Sequence, residues 1–515
     1  MFFLNIILKG DILRKTKLFF INGIILTITA LSMRGIGLVF NIYVANKVGS
    51  EAIGIFSLIM SVYNFAITVA TSGIGIACTC IVSEEFAKGN YITGIKAVKT
   101  SIIFAVLLGF LSSGLVILFA PIISTIWLKN MVSEIPLYLI SLGLPLISVS
   151  SVIGGYFSSV EKPYKSAISQ ILETSVKIIA TVCLLYFNPS KDVESICIYL
   201  ILADVISEIF SFSLNIIFYL IDRRKYISKR SLPVQMKKKI FTIAFPISIT
   251  SCIRSGLSSL KQFLIPIRLE LSGISYSLAV SNYGLISGMV MPVIMFANVL
   301  IGSFSGLLVP EFSRLLAGGN YNRLKTVCDT IFKVTFIFSI CVTGVFIIFA
   351  NEISLMVYQS IEAGKWIKIL APLIFFMYID NIIDNMLKGI NEQVSVMICN
   401  IIDLLVTISI IFFLVPIMGM YGYILSIFVS ELLNFTISSI QLKKKINYSV
   451  NFKKFIIRPI FACLVSYLLI KLLPITFSNF SLNTIMQIAL FILFYLIFMI
   501  VFDRKRVYMK IKEFY

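Results

Sequence analysis

The chain of 515 residues is 58% hydrophobic and 13% charged, with a mean hydropathy of +0.99 and a formal net charge of +20. A soluble domain carries about 25% charged residues, so this composition excludes a soluble fold and makes the bilayer the solvent. The basic excess is no nucleic-acid footprint, because no basic face is left clear of the membrane; it suits anionic lipid headgroups instead.

Apolar runs near the roughly 20 residues that cross a bilayer predict fourteen spans. In chain order they are 18–45, 52–82, 100–128, 135–160, 166–187, 195–220, 240–266, 279–310, 328–350, 366–388, 396–415, 419–440, 455–474 and 483–501. The connections are short and rich in Gly, Asn, Lys and Pro. A β-barrel needs segments of about ten residues with alternating polarity, and these runs are too long and too uniformly apolar. The leading "MFFLNIIL" is too short for a span and has neither a basic n-region nor a small-residue cleavage site; it is expected in the interface. The fold class is all-α and polytopic.

Of the 44 Lys and Arg, seven fall in odd-numbered loops (Lys47, Lys129, Lys191, Arg268, Lys365, Lys368, Lys471) and five inside spans (Arg34, Lys177, Arg254, Lys261, Lys333). The rest occupy the amino terminus, the even-numbered loops and the carboxyl terminus. The alternation fails at one loop pair, where Lys388 alone lies inside against Lys365 and Lys368 outside. Positive segments resist translocation, so both termini are expected on the cytoplasmic side of the cell membrane. None of the nine cysteines falls in an outer loop, no CxxC pair occurs and histidine is absent. Disulfides, a metal site and histidine-base chemistry are therefore not expected.

The chain also repeats itself. "SEEFAKGNY" at 83–91 returns as "SRLLAGGNY" at 313–321, and "SQILETSV" at 169–176 faces "CNIIDLLV" at 399–406, both at an offset of 230. Pro145 pairs with Pro372, Ser207–Glu208 with Ser430–Glu431, and "SMRGIG" (32–37) with "CIRSGL" (252–257). Matches in order at similar offsets indicate a tandem duplication of six spans in parallel orientation. The expected organisation is an N-terminal lobe at 1–221, a basic cytoplasmic linker at 222–239, a C-terminal lobe at 240–445, and two additional helices with a basic tail at 446–515.

The stretch "GIILTITALSMRGIGLVFNIYVANKVGSEAIGIFSLIMSVYNFAITVATSGIGIACTCIVSE" and the later "LLVPEFSRLLAGGNY" resemble the stage V sporulation protein B family of polysaccharide-export proteins. That family lies in the MOP superfamily, with MATE transporters and lipid II flippases, and the resemblance covers essentially the whole chain. It implies two six-helix lobes forming a V around a central cavity, and a lipid-linked cell-wall precursor of the polyprenyl-pyrophosphate type as cargo. "SGIGIACTCIVSE" departs from the family in lacking a proline, which bears on the bend of span 2.

A charge at membrane depth costs at least about 2.5–3.5 kcal/mol on insertion scales, so it faces a cavity or a partner. Arg34 and Arg254 sit mid-span in equivalent helices, and Lys261 lies seven residues beyond Arg254 on nearly the same face. A guanidinium fork matches phosphate oxygens, so these three are the candidate substrate-binding residues. The alternative role is an interlobe salt bridge that locks one state. Lys177 has Glu173 at i−4 to neutralise it, and Lys333 is near enough to the inner end to snorkel. Glu173, Glu208 and Glu431 read as structural polar groups. Asn400 and Asp403 share a helical face and offer oxygen ligands to sodium; the related lipid II flippases use an Asn and Asp on this helix in that role. The resemblance thus implies sodium or proton coupling, with no organic cofactor. Asp380 and Asp384, at i and i+4, either share a proton or line the inner mouth.

Three function classes compete. A flippase predicts basic groups on helices 1 and 7 and short outer loops, as found here. A cation-coupled MATE-type drug exporter would place an acidic residue where Arg34 or Arg254 stands. A membrane-embedded glycan polymerase or acyltransferase would need a catalytic constellation, usually in a large outer loop. The sequence favours the flippase, with spore cortex peptidoglycan formation as a context implied by resemblance alone.

Overall fold

A straight helix of 70 residues would be about 105 Å long, more than three times the roughly 30 Å hydrocarbon core. Helix α1 (Phe2–Thr71) has that length, and Gly49 (φ 83, ψ 171) breaks it. The break falls between the first two predicted spans, so α1 holds both the first span and most of the second. Only glycine takes such a backbone at no steric cost. In this computed structural model the described residues are 2–71, 73–188, 192–224, 236–298, 301–302, 305, 308–317, 321–446, 452–472 and 479–512. Side chains are described from Ser32 onward, except those of Arg34, 310–311, 317, 321–322, 452–454 and 502–512.

The other helices are α2 (Ile74–Ala87), α3 (Tyr91–Ile122), α4 (Ile135–Ser159), α5 (Pro163–Phe187), α6 (Val193–Arg223), α7 (Met236–Glu270), α8 (Tyr276–Gly284) and α9 (Met291–Phe296). They are followed by α10 (Leu308–Ala317), α11 (Tyr321–Ile348), α12 (Ala350–Tyr358), α13 (Ile361–Gly389), α14 (Gln393–Met418), α15 (Met420–Ile446), α16 (Phe452–Leu472) and α17 (Phe480–Lys512). Among the described residues there is no strand, and 13 helical stretches are long and apolar enough to cross a membrane, the first counted unbroken from Gly35 to Ala87. Gly319 and Asn320, and 225–235 of the basic linker, lie outside the described residues.

The residues pack as two compact units, Met1–Phe40 with Glu51–Phe263, and Asn41–Ser50 with Leu264–Tyr515. These units do not follow the 1–221 and 240–445 division. The second six-span copy contributes most of its first helix, α7, to unit 1. In unit 1, α4 packs against α2, α3 and α6, and α5 against α6. In unit 2, α13 packs against α10, α11 and α15, and α14 against α15, the same arrangement in the second copy. Helix α16 packs on α11 and α17. The unit 1 core joins Cys78, Ile81 and Val82 of α2 to Val98 of α3, Tyr156 and Phe157 of α4, Tyr219 of α6 and Ile240 of α7.

Turn geometry repeats along with the packing. Glu161 (φ 58) and Asn391 (φ 65) are left-handed at an offset of 230, as are Lys129 (φ 49) and Gln359 (φ 52). A non-glycine residue there costs roughly 1–2 kcal/mol, so its recurrence at equivalent positions is a strong mark of duplication. The neighbouring ion pairs recur with their charges exchanged. Lys162 binds Asp222 at 2.8 Å in unit 1, and Glu392, at the same offset, binds Lys445 at 2.5 Å in unit 2. Each pair ties the turn after the central helix to the end of the last helix of its copy.

Span 2 bends without a proline. The chain breaks between α1 and α2, where Gly73 has φ 74 and ψ −33. A Cβ there would stand 2.3 Å from the Ala244 carbonyl oxygen of α7, so the bend and the approach of α7 both require glycine.

Candidate functional site

Helix α7 is held to α1 by small and hydroxyl residues, the means by which helices approach closely where lipid removes the hydrophobic drive between them. Thr68 donates to Ser255 Oγ at 3.1 Å, and Ser259 donates to the Ser61 carbonyl at 2.8 Å. Helical periodicity puts Arg254 and Lys261 within about 20° of one another, on the side of α7 away from Gly256 and Ser259. Arg254 is exposed and Lys261 half-buried. Neither forms an ion pair among the described residues, so the carboxylate partner of the alternative reading does not appear there. A guanidinium at this depth that no protein group covers needs water or an anionic ligand. The Arg34 side chain lies outside the described residues; its backbone is in α1.

On the opposite face, Phe65 of α1, Phe119 of α3, Trp127, and Gly256, Ser259 and Leu260 of α7 line an apolar cavity of about 480 Å³. Unit 2 has a larger one, about 600 Å³, lined by Ile340 and Gly344 of α11, Pro372 and Phe375 of α13, Ile460 and Tyr467 of α16, and also Lys368. Sequence patterning did not reveal these cavities, because they arise from the way neighbouring helices splay.

The second candidate set lies on α14. Asp403 is buried, and its Oδ1 accepts hydrogen bonds from Ser430 of α15 at 2.7 Å and Thr407 at 3.3 Å. Asn400, one turn away, donates its amide to the Val396 carbonyl at 3.0 Å, which leaves its side-chain oxygen available. Carboxylate, amide and hydroxyl oxygens on two adjoining helices form a donor set that suits a hard monovalent cation. The sequence offers Asn400 and Asp403 as candidates and does not single out Thr407 and Ser430 as bonding partners of Asp403. Asp384 of α13 accepts from Ser438 of α15 at 3.3 Å, while Oδ1 of Asp380 on α13 is buried with no partner.

The third set corrects a pairing. Lys177 forms its ion pair with Asp204 of α6, and not with Glu173 on its own helix. Asp204 is 7% exposed, and a buried carboxylate without a cation is far costlier than a half-exposed one. The lysine therefore goes to the neighbouring helix. Glu173 and Glu208 are half-buried on α5 and α6, and Glu431 is half-buried on α15. Arg268, expected in an outer loop, belongs to the last turn of α7 and stacks on the Phe412 ring at 3.4 Å.

Comparison with known proteins agrees with this architecture. The sequence model of the polysaccharide biosynthesis protein family matches residues 20–316, and that of the MatE family matches 246–413. Stage V sporulation protein B of Bacillus subtilis (strain 168) is 24% identical over 445 residues, 85% of this chain and 86% of that protein. Lipid II flippase MurJ in an inward closed conformation superposes with a TM-score of 0.69 at 16% identity, covering 94% of this chain and 100% of the other. An inward-facing multidrug resistance MATE transporter of the MOP superfamily gives 0.66 at 14% identity, covering 82% and 98%. The two solved structures are a flippase and a transporter by name. By sequence over more than half its length and by helical architecture, the chain belongs to the polysaccharide biosynthesis protein family, with the fold of MOP-superfamily transporters.

Proposed function

We propose that the protein flips a lipid-linked anionic glycan precursor, of the polyprenyl-pyrophosphate type, across the cytoplasmic membrane by alternating access. The observation that carries this reading is the uncompensated cationic face of α7, where Arg254 and Lys261 stand with no carboxylate partner among the described residues. Arg34, at the equivalent place in the first copy, is assigned to the same phosphate grip. The apolar cavities beside α3 and α11 suit hydrocarbon chains, which the bilayer otherwise holds. Asn400 and Asp403, with Thr407 and Ser430, are assigned to sodium coupling. The match to a stage V sporulation protein supports a sporulation context, read here as spore cortex peptidoglycan formation, and the Lys and Arg distribution supports cytoplasmic termini.

The second reading, a cation-coupled drug exporter, is favoured by the MatE match over 246–413. The same helix α7 argues against it, since an organic cation would be repelled by Arg254. Replacing Arg254 by Gln in proteoliposomes separates the two. The flippase reading expects loss of headgroup translocation with insertion intact, and partial rescue by Lys, which keeps the charge but lacks the fork. Translocation at the wild-type rate in Arg254→Gln would sink the phosphate grip.

A further inference from the structure

The second half of helix α7 carries a basic residue at every seventh position: Arg254, Lys261 and Arg268. Seven residues turn an α-helix by about 700°, so successive members are offset by about 20° and rise by about 10 Å. The three therefore stay within about 40° of one face over about 21 Å. Half of the hydrocarbon core is about 15 Å, so a row that starts near mid-bilayer at Arg254 ends at headgroup level at Arg268. The third member is visible only because α7 continues to Glu270, where a loop was expected. The first copy keeps one member of the row. At the offset of 220, Arg34 matches Arg254, while Asn41 and Val48 stand in place of Lys261 and Arg268. The row is therefore not a structural need shared by both copies.

Arg268 is not placed like a side chain that merely escapes to water. Its guanidinium carbon lies 3.4 Å from the centre of the Phe412 ring, and both residues belong to unit 2. It is half-buried, and its Nε is covered with no hydrogen-bond partner. No carboxylate pairs with it among the described residues. Glu270, two residues on, falls on the opposite side of α7. The negative end of the α7 dipole favours a cation here, but any cation would satisfy it. It does not account for a guanidinium laid against a ring with its N–H edge unmatched. Such stacking holds the group in one plane, and its fork then suits two oxygens of one phosphate.

We propose that Arg268, oriented by Phe412, is a lipid-phosphate site at the outer end of the α7 row. It takes the phosphate of a flipped lipid at headgroup level. This rests on the phosphate grip proposed for Arg254 and extends it. The gap of about 10 Å from Lys261 is one that the two long side chains narrow from both ends. Phosphate passed along the row thus leaves the bilayer interior without losing its cationic partner.

The test maps phenylglyoxal-modified arginines by mass spectrometry in the full-length protein, reconstituted in phosphatidylcholine vesicles. Arg268 should react in these vesicles and be protected about tenfold by a polyprenyl pyrophosphate, the scale of a hydrogen bond to a charged group. Protection of Arg268 should persist in Arg254→Gln, and Phe412→Leu should weaken it while leaving Arg254 protected. Protection of Arg254 without protection of Arg268 would overturn this proposal and leave the grip standing. Protection of Arg268 alone would sink the grip and keep the outer site. Equal protection by inorganic pyrophosphate would identify a free anion and overturn the lipid assignment. An Arg268 already unreactive in the bare vesicles would overturn it as well, since bulk headgroups would then suffice.

Discussion

Replacing Asp222 by Ala should destabilise unit 1 by several kcal/mol, while the equivalent change in unit 2 should barely register. Asp222 has a side chain 1% exposed and accepts from Lys162 at 2.8 and 3.0 Å, from Lys165 at 3.1 Å and from the Tyr156 hydroxyl at 3.0 Å. The lysine side chains keep 24% and 16% of their surface. Removing the carboxylate leaves two largely covered ammonium groups facing each other and orphans the buried Tyr156 hydroxyl. Breaking a buried ion pair costs about 3–5 kcal/mol and an orphaned hydroxyl about 1–3 kcal/mol. The partial hydration of the lysines keeps the total near the lower figures, so about 3–5 kcal/mol is expected. The counterpart pair, Glu392–Lys445, has side chains 23% and 52% exposed, which places it with surface pairs worth about 0.2–1 kcal/mol. The two tryptophans make the comparison local, since Trp127 lies in unit 1 and Trp366 in unit 2. In a Trp366→Phe background, thermal unfolding followed by Trp127 fluorescence should shift by on the order of 10 °C for Asp222→Ala. Glu392→Ala, read from Trp366 in a Trp127→Phe background, should shift by a small fraction of that. Lys162→Glu with Asp222→Lys, which gives unit 1 the polarity of unit 2, should recover part of the loss. An Asp222→Ala shift as small as that of Glu392→Ala would refute the reasoning.

Other consequences are as direct. If Asp403 and Asn400 hold sodium, Asp403→Asn should abolish sodium-dependent stabilisation without loss of expression; a melting difference with and without sodium equal to that of a responsive wild type excludes the site. If the 222–239 linker is cytoplasmic, labelling from outside should reach Asn130→Cys and miss Ser228→Cys; the reverse would invalidate the fourteen-span topology. Gly344→Val should loosen α16 by about 1–3 kcal/mol, since a Cβ there meets Cys463 Sγ at 2.4 Å. Proteolytic susceptibility of the 446–515 region, unchanged by this substitution, would show that the contact is not what holds these helices.

The helical class and the duplication were legible because they are written in long-range composition and in polar punctuation that survives divergence. Pro145 and Pro372, or Glu173 and Asp403, keep their places when the apolar residues around them drift. The exchanged pair at Lys162 and Glu392 was less legible, since opposite charges at matching positions look like mismatches until their partners Asp222 and Lys445 are known. Lys177 was assigned to the wrong carboxylate because sequence shows neighbours on one helix but not the buried acid on the next. The same limit hid the bonds of Thr407 and Ser430 to Asp403, even though Ser430 itself marks the repeat. Packing of α7 with unit 1 depended on Gly73, Ser255 and Ser259, small residues whose importance lies in what they let approach.

The most direct test of the central claim is headgroup translocation by the purified protein in proteoliposomes, with a polyprenyl-pyrophosphate glycan compared against a neutral glycolipid and an organic cation. The account predicts transport of the pyrophosphate lipid, abolished when Arg254 and Lys261 are both changed to Gln, and no transport of the other two. Export of the organic cation, with the pyrophosphate lipid left in place, would contradict it.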